Sequence, residues 1–338
     1  MYKTAVAILN WNGSRMLRRY LPSVVDYTDA SDTTIYVVDN GSTDDSIDML
    51  RRDFPTVNLI LFDHNYGFAE GYNRALKQIE TEYVILLNSD VDVTPHWLTP
   101  LIAYMDVHPE VAACQPKLLS YLNPEQFEYA GAAGGFLDRY GYPFCRGRLM
   151  GTVETDSGQY DTIIPVFWAS GAALCIRRQD YIEVGGLDKL FFAHMEEIDL
   201  CWRLRARGRL VVCIPQSTVY HLGAATLKRD TPHKTFLNFR NNLLMLYKNL
   251  PAGELRGVMF RRYWLDYLAA LQFLLKGQPG NAFAVWRARK AYRQLRSLYA
   301  VVRADNLRKQ LSVQIAERTG YSILVKYYLQ GVRYFSKL

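Results

Sequence analysis

The sequence predicts an α/β protein with a mainly parallel central sheet, followed by a helical, basic C-terminal region. Two observations carry the first part: apolar runs of strand length alternate with helical segments over the first hundred residues, and polar clusters rich in Asp, Asn and Gly follow those runs. A third observation carries the second part. Residues 1–224 hold 19 Lys+Arg against 28 Asp+Glu, whereas residues 225–338 hold 21 against 5, so a net charge of +7 conceals an acidic body and a basic tail.

Taken in order, Lys3–Leu9 reads as a buried strand and Ser14–Tyr27 as a helix after a polar turn. Thr34–Asp39 is a second strand, and Ser42–Asp53 a helix with an acidic first turn. Val57–Phe62, Ala69–Ile79 and Tyr83–Asn88 continue the rhythm as strand, helix and strand. Such continuous apolar runs imply a parallel sheet covered on both faces, and ligands of these sheets lie beyond the carboxyl ends of the strands. Residues 116–165, rich in Gly, Pro, Tyr and Asn, read as irregular structure around a site. Ala169–Arg177 returns to strand, Glu196–Arg207 to helix and Leu210–Ile214 to strand; from about His233 onward the pattern is helical. The expected division is 1–228 for the catalytic body, its halves meeting near residue 115, and 229–338 for the basic region.

The 338-residue length and 49% apolar content suit a globular protein with a full core. Five cysteines without a CxxC pair point to free thiols in a reducing compartment. The N-terminus lacks a signal-peptide h-region, and no stretch approaches the roughly 18 apolar residues of a membrane span, so a cytoplasmic location is expected.

The sharpest local signal is Asn88-Ser89-Asp90-Val91-Asp92 directly after an apolar strand. Two carboxylates in DxD spacing at a strand end can meet one hard cation, which in turn bridges diphosphate oxygens. A solvated acidic turn is the plain alternative. Asp39-Asn40-Gly41-Ser42 follows the second strand. There an Asp can accept from the imide N–H of a uracil or thymine base, or the segment is a simple Asn-Gly turn with Ser42 or Thr43 capping the next helix. The first strand ends alike in Asn10-Trp11-Asn12-Gly13, and His64–Asn73 is a Gly-containing loop entering a helix, suited to close approach of a phosphate or ribose. Neither a P-loop nor a GxGxxG after the first strand is present, which disfavours P-loop and nicotinamide-binding classes. Glu196 and Glu197 open a helix after Phe191-Phe192-Ala193-His194-Met195. The helix dipole alone favours acids there, yet a carboxylate in partly apolar surroundings is also a tunable general base. Asp199 and Arg203, four apart, read as a structural pair.

These segments, in this order and with Trp168–Arg178 and Val219-Tyr220-His221, resemble glycosyltransferase family 2 over about residues 1–250. The likeness is closest to the bacterial rhamnosyltransferase-like and galactofuranosyltransferase-like branches, and it implies the GT-A fold. It implies that Asp39 holds the nucleotide base, that Asp90 and Asp92 form the DxD pair, and that His221 completes a Mn²⁺ or Mg²⁺ site. Glu197 takes the place of the catalytic base, where similar enzymes mostly have Asp. Asn10, Asn12, Gly67, Asn73 and Ser89 join the donor site, and Arg240, in Phe239-Arg240-Asn241-Asn242, meets the diphosphate. The implied reaction is inverting transfer from a nucleotide diphosphate sugar, dTDP-rhamnose first and a UDP-hexose or UDP-galactofuranose second, to a surface glycan or lipid-linked precursor. A nucleotidyltransferase would need a Gly-rich loop with a basic residue near the first strand, which Asn12-Gly13-Ser14 lacks. A non-catalytic partner subunit should have lost its acids, and both positions remain acidic.

In the tail, Tyr263–Lys276 is apolar on most of its surface but interrupted by Asp266 and Gln272. Arg261, Arg262, Arg287, Arg289, Lys290, Arg293 and Arg296 stand around it, interleaved with Trp264, Trp286 and Tyr292. That pattern suits a helix lying on the anionic inner face of the cytoplasmic membrane. Packing on the body or on a second subunit is the alternative, and nucleic-acid binding has no module to support it.

Overall fold

The computed structural model describes residues 2–223, 231–311 and 314–338. β1 (Thr4–Asn10), α1 (Ser14–Asp26), β2 (Thr33–Asp39), α2 (Ser46–Asp53), β3 (Asn58–Leu61), α3 (Gly67–Ala75) and β4 (Tyr83–Leu87) come first, as the alternating pattern requires. β5 (Val91–Val93), α4 (Thr99–Val107) and β6 (Val111–Ser120) follow. The order β3-β2-β1-β4 is parallel throughout. Beyond β4 the sheet is mixed, since a later strand, Ala173–Arg177, enters antiparallel between β4 and β6.

Within β1 successive residues serve opposite faces. Ala5 and Ala7 pack with α3 residues such as Tyr72 and Ala75, while Val6 and Ile8 pack under Leu17, Leu21 and Val24 of α1. A strand buried on both sides leaves no room for polar residues until it ends. The register therefore sets Asn10 beside Asp39, and Ile8 beside Leu87, so that three polar loops emerge at one edge.

Residues 116–165 are more regular than their composition suggests. β6 runs on to Ser120, and β7 (Gly135–Leu137), β8 (Pro143–Cys145), β9 (Arg148–Leu149) and β10 (Thr152–Val153) make a small antiparallel sheet. Strands of two or three residues are too short for period-2 alternation to be read. β11 (Ile164–Pro165), β12 (Ala173–Arg177), α5 (Arg178–Glu183), α6 (Glu196–Ala206) and β13 (Leu210–His221) complete the body. β12 lies antiparallel between β4 and β6, and β13 parallel to β6. The Leu210–Ile214 segment and the Val219–His221 segment are one strand, interrupted where the register shifts between Ile214 and Thr218 opposite Pro116. Pro116 has no N–H to offer, and the irregularity carries His221 to the strand ends where the acidic loop lies.

The expected boundary near residue 228 lies outside the described residues. α7 (Pro232–Asn249), α8 (Ala252–Leu275), α9 (Pro279–Leu295) and α10 (Ala300–Arg308) follow it. Residues 314–338 depart from the helical expectation: Ile323 and Phe335 pack on Phe136 and Phe144 of the small sheet. Another departure concerns Arg262 and Arg289. Rather than flanking an exposed helix, both are buried against Asp266, which sits at 0% exposure. Arg289 donates to Asp266 Oδ2 at 2.5 Å, and Arg262 Nε to Oδ1 at 3.1 Å. The acid that interrupts the apolar run is thus the hub of a buried ion network. Tyr292 is buried as well. All five cysteines are free and buried, and no helix among the described residues is long and apolar enough to cross a membrane.

Candidate active site

At the ends of β1 and β2, Asn10 Nδ2 donates to Asp39 Oδ2 at 2.9 Å, and the Ser42 backbone N–H to Asp39 Oδ1 at 2.9 Å. Asp39 is 1% exposed, while Asn10 Oδ1 is buried without a partner. Ser42 and Thr43 do not cap α2, which begins only at Ser46. Their groups bond to the first loop instead: Asn12 N–H to Ser42 Oγ at 2.9 Å, and Thr43 N–H to Asn12 Oδ1 at 2.7 Å. Gly41 has φ +74°, and a Cβ there would stand 2.5 Å from the His64 backbone, so this turn admits no other residue. Beside it lies an open groove of about 750 Å³ rimmed by Asn12, Arg15, Arg18, Arg19 and Asp44.

The acidic loop joins this edge from β4. Ser89 lies near Gly13, and the Asn88 N–H donates to Ala172 O at 3.0 Å. Asp92, in β5, stands opposite Tyr220, and Val91 opposite His221. His221 Nε2 is 3.2 Å from Asp90 Oδ1, and its Nδ1 is 3.5 Å from Glu128 Oε1. Burial pushes the His221 pKa down, but the two carboxylates outweigh it and carry the group up to about 10. Among the described residues no three His, Cys, Asp or Glu side chains are grouped so as to hold a metal ion. Of Asp90, Asp92 and His221, only Asp90 and His221 are in contact, with Asp92 two residues along the same segment; oxygen and imidazole donors of this kind suit a hard cation that takes few protein ligands and completes its shell with phosphate oxygens and water. Glu128 lies behind the far nitrogen of His221 at ion-pair distance, without a hydrogen bond to it.

Two loops seen separately in the sequence are docked together. The Phe68 N–H donates to Phe192 O at 3.0 Å, and a Cβ on Gly67 (φ +78°) would meet the Phe192 ring at 2.6 Å. Gly67 therefore admits the loop that carries Glu197, and its own N–H is taken by Asn65 Oδ1 at 2.8 Å, leaving none for a phosphate. Asn73 is likewise occupied by protein: it donates to Leu187 O at 2.8 Å and accepts from Tyr181 OH at 2.7 Å.

Glu196 and Glu197 open α6. Burial pushes the Glu197 carboxyl up to about 7, and its Oε2 has no partner. Glu196, 5% exposed, is held well above the carboxylate range by burial and by the neighbouring charge of Glu197. Asp199 instead accepts from Arg203 at 3.0 Å and Lys248 at 2.8 Å, as a structural acid does. The approach to α6 is strained, with Phe192, His194 and Met195 at φ 65°, 71° and 72°. Asn241 holds it: its Nδ2 lies 2.9, 2.9 and 2.8 Å from the carbonyl oxygens of Phe191, Ala193 and His194. Arg240 is drawn into the same clamp, donating to Leu190 O at 2.9 Å and Phe191 O at 3.0 Å rather than standing free for a diphosphate. Phe68 and Glu197 are each 3.7 Å from where a Cβ on Gly171 would be, and the next residue, Ala172, accepts from the Asn88 N–H.

Glu128 and the clamping amide of Asn241 were not singled out from the sequence. Glu128 lies in the segment read as irregular, and its one local mark is an acid between Phe127 and Tyr129. Asn241 adjoins Arg240, the residue that the resemblance assigns to the diphosphate.

Residues 5–159 match the family described as glycosyl transferase family 2. The chain is 28% identical over 243 residues to the N-acetylglucosaminyl-diphospho-decaprenol L-rhamnosyltransferase of Mycobacterium tuberculosis, covering 67% of this chain and 78% of that one. Among solved structures it resembles GalNAc-T7 with UDP, GalNAc and Mn²⁺ (TM-score 0.58, 16% identity, 73% of this chain and 48% of the other). It also resembles S. aureus TarS 1–349 in complex with UDP-GlcNAc (TM-score 0.54, 17% identity, 91% and 89%). At these identities the structural likeness establishes the GT-A fold.

Proposed function

We propose, from the premise that the chain belongs to glycosyltransferase family 2, that it is an inverting, metal-dependent hexosyltransferase acting on a nucleotide diphosphate sugar. The observation that carries the reading is Glu197, a half-buried carboxylate with an unpartnered oxygen and a pKa pushed up to about 7, packed beside Gly171, whose neighbour Ala172 accepts from Asn88 at the head of the acidic loop. In this reading Asp39, backed by Asn10, receives the base of the donor, and Ser89 and Asn12 flank its diphosphate. Asp90, Asp92 and His221 would hold Mn²⁺ or Mg²⁺, which when bound supplies positive charge to the departing diphosphate. Glu197 takes the proton of the acceptor hydroxyl, and that oxygen attacks the anomeric carbon from the face opposite the diphosphate. One base and a stabilised leaving group suffice for a single displacement with inversion.

dTDP-rhamnose is the donor of first choice and a UDP-hexose or UDP-galactofuranose the second. The M. tuberculosis relative, named as an L-rhamnosyltransferase acting on a diphospho-decaprenol carrier, favours rhamnose and a lipid-linked acceptor. Residues 1–115 then form the donor half and 116–228 the acceptor half, and the protein works peripherally at the inner face of a cytoplasmic membrane. The test is a panel of nucleotide sugars with Mn²⁺ and polyprenyl diphosphate sugar acceptors, read by release of nucleotide diphosphate. Release with dTDP-rhamnose that stops in chelator is the expected result. Release of pyrophosphate from a nucleoside triphosphate and a sugar phosphate would replace this reading with a nucleotidyltransferase.

A further inference from the structure

We propose that the outward face of α8, with the exposed part of α9, docks on an anionic lipid bilayer. The proposal rests on the preceding reading only for its purpose, which is to bring the site to a lipid-held acceptor.

α8 has a buried side held by an ion network and, opposite it, an exposed apolar side. One side faces inward through Val258, Arg262 and Asp266, all buried. On the other, Phe260, Trp264, Leu268, Leu271 and Leu275 recur at helical spacing and point to solvent, Trp264 at 62% and Leu275 at 81% exposure. At 100° per residue these five fall within an arc of about 80°, a single stripe roughly 22 Å long. Phe283 and Trp286 of α9 are exposed too, with rings stacked 5.3 Å apart. An amphipathic helix normally turns its second face to water with polar residues, so a contiguous apolar stripe of this length calls for an occupant.

The charge around the stripe selects the occupant. Arg256, Arg261, Lys276, Arg287, Lys290 and Arg293 are exposed around it. The acidic side chains among described residues 231–338 are all already paired: Glu254 with Arg318, Asp266 with Arg262 and Arg289, Asp305 with Arg308 and Lys309, and Glu317 with Arg205. None of these four carboxylates is left to neutralise the rim. A second copy of the same face would set these cations against one another. An anionic headgroup layer accepts both the cations and the aromatic rings while the stripe enters the acyl boundary. Because the helix, though 24 residues long, is not apolar enough to span, it lies flat.

The experiment is flotation of the full-length chain with vesicles of phosphatidylcholine alone or with phosphatidylglycerol, at low and high salt. Binding is expected to require the anionic lipid and to weaken with salt. The double variant Trp264→Glu/Leu268→Glu should lower vesicle partitioning by about tenfold or more. The charge variant Arg287→Gln/Lys290→Gln, which leaves the stripe intact, should lower it by severalfold. Both variants should keep the wild-type melting curve and wild-type nucleotide release on a short-chain, water-soluble acceptor, which separates this proposal from the catalytic one. Recovery of the protein only in the soluble fraction at low salt on strongly anionic vesicles overturns the proposal. So does a light-scattering dimer abolished by Trp264→Glu/Leu268→Glu without vesicle binding, which assigns the stripe to a second copy.

Discussion

The side-chain amide of Asn241 in α7 lies 2.8 Å from the carbonyl oxygen of His194, two residues ahead of the two acids that open α6. With its bonds to Phe191 O and Ala193 O, the amide holds a segment in which Phe192, His194 and Met195 all occupy left-handed backbone. Such conformations persist only when neighbours over-determine them. Asn241→Ala should therefore release the approach to Glu197 while leaving the loops after β1, β2 and β4 untouched. Expected is a fall in kcat of about 10- to 100-fold, the scale of a misplacement near 1 Å, with KM for the donor within a few-fold. A loss confined to donor KM would assign Asn241 to donor binding.

Glu197 yields a prediction on pH. Its carboxyl lies at about 7 because burial penalises the charged form, and a base works only when deprotonated. The logarithm of kcat/KM should therefore rise with pH along an acid limb centred near 7 and level off above it. Glu197→Gln should remove about 10²–10⁴ of the rate while donor binding, followed by titration calorimetry, changes a few-fold at most. Near wild-type turnover in that variant would move the role to another acid. The same burial has a stability consequence. The folded pKa is above the unfolded 4.5, so the contribution is fully present below 4.5 and is lost as pH rises through about 7. Glu197→Gln should accordingly raise the melting temperature above pH 7 more than at pH 5.

The strand ends were legible because β1, β2 and β4 are apolar on both faces until they stop. Asn10, Asp39 and Asn88 could then lie only at one edge. The acids of α6 were legible as well, from their place at a helix entry after an aromatic loop. What could not be read was the use of side chains between distant segments. Asn73 and Arg240 are polar residues in motifs near the site, yet both bond to backbone of the 187–191 region. Sequence spacing reports which residues share a loop and is silent on which carbonyl an amide will find 50 or 114 residues away. Asp266 illustrates the same limit. An acid in an apolar helical run looks like a break in an exposed surface, whereas its partners Arg262 and Arg289 make it the buried side of the helix.

Metal dependence gives a third prediction. Chelation should stop transfer, and Mn²⁺ or Mg²⁺ should restore it. Asp92→Asn should weaken both cation and nucleotide binding, because the diphosphate loses its counter-charge. Glu128→Gln tests the residue behind His221 without touching a ligand, and a lost outer-shell partner typically costs about 10- to 100-fold in metal affinity. Electron paramagnetic titration of Mn²⁺ in the presence of nucleotide diphosphate reads this directly, apart from turnover. Unchanged Mn²⁺ affinity in Glu128→Gln would leave Glu128 only a structural role.

The last prediction concerns what holds α8 and α9 to the body. Asp266 is fully buried and accepts from Arg262 and Arg289, while Arg262 also donates to Tyr140 O at 3.0 Å and to Asn242. Asn242 in turn donates to Gly141 O at 2.6 Å, tying the network to the small sheet. Removing the one carboxylate strands two buried guanidinium groups, and an uncompensated buried charge costs far more than the intact pair contributes. Asp266→Ala should thus destabilise the protein by about 3–5 kcal/mol in urea unfolding. Asp266→Asn should cost less, since its amide oxygen still accepts one hydrogen bond. Replacing all three residues together by apolar ones of similar volume should recover much of the loss, because no charge is then left unpaired. A triple variant less stable than Asp266→Ala would mean that the bonds of Arg262 to Tyr140 and Asn242, and not the ion pairs, are what fasten the helices.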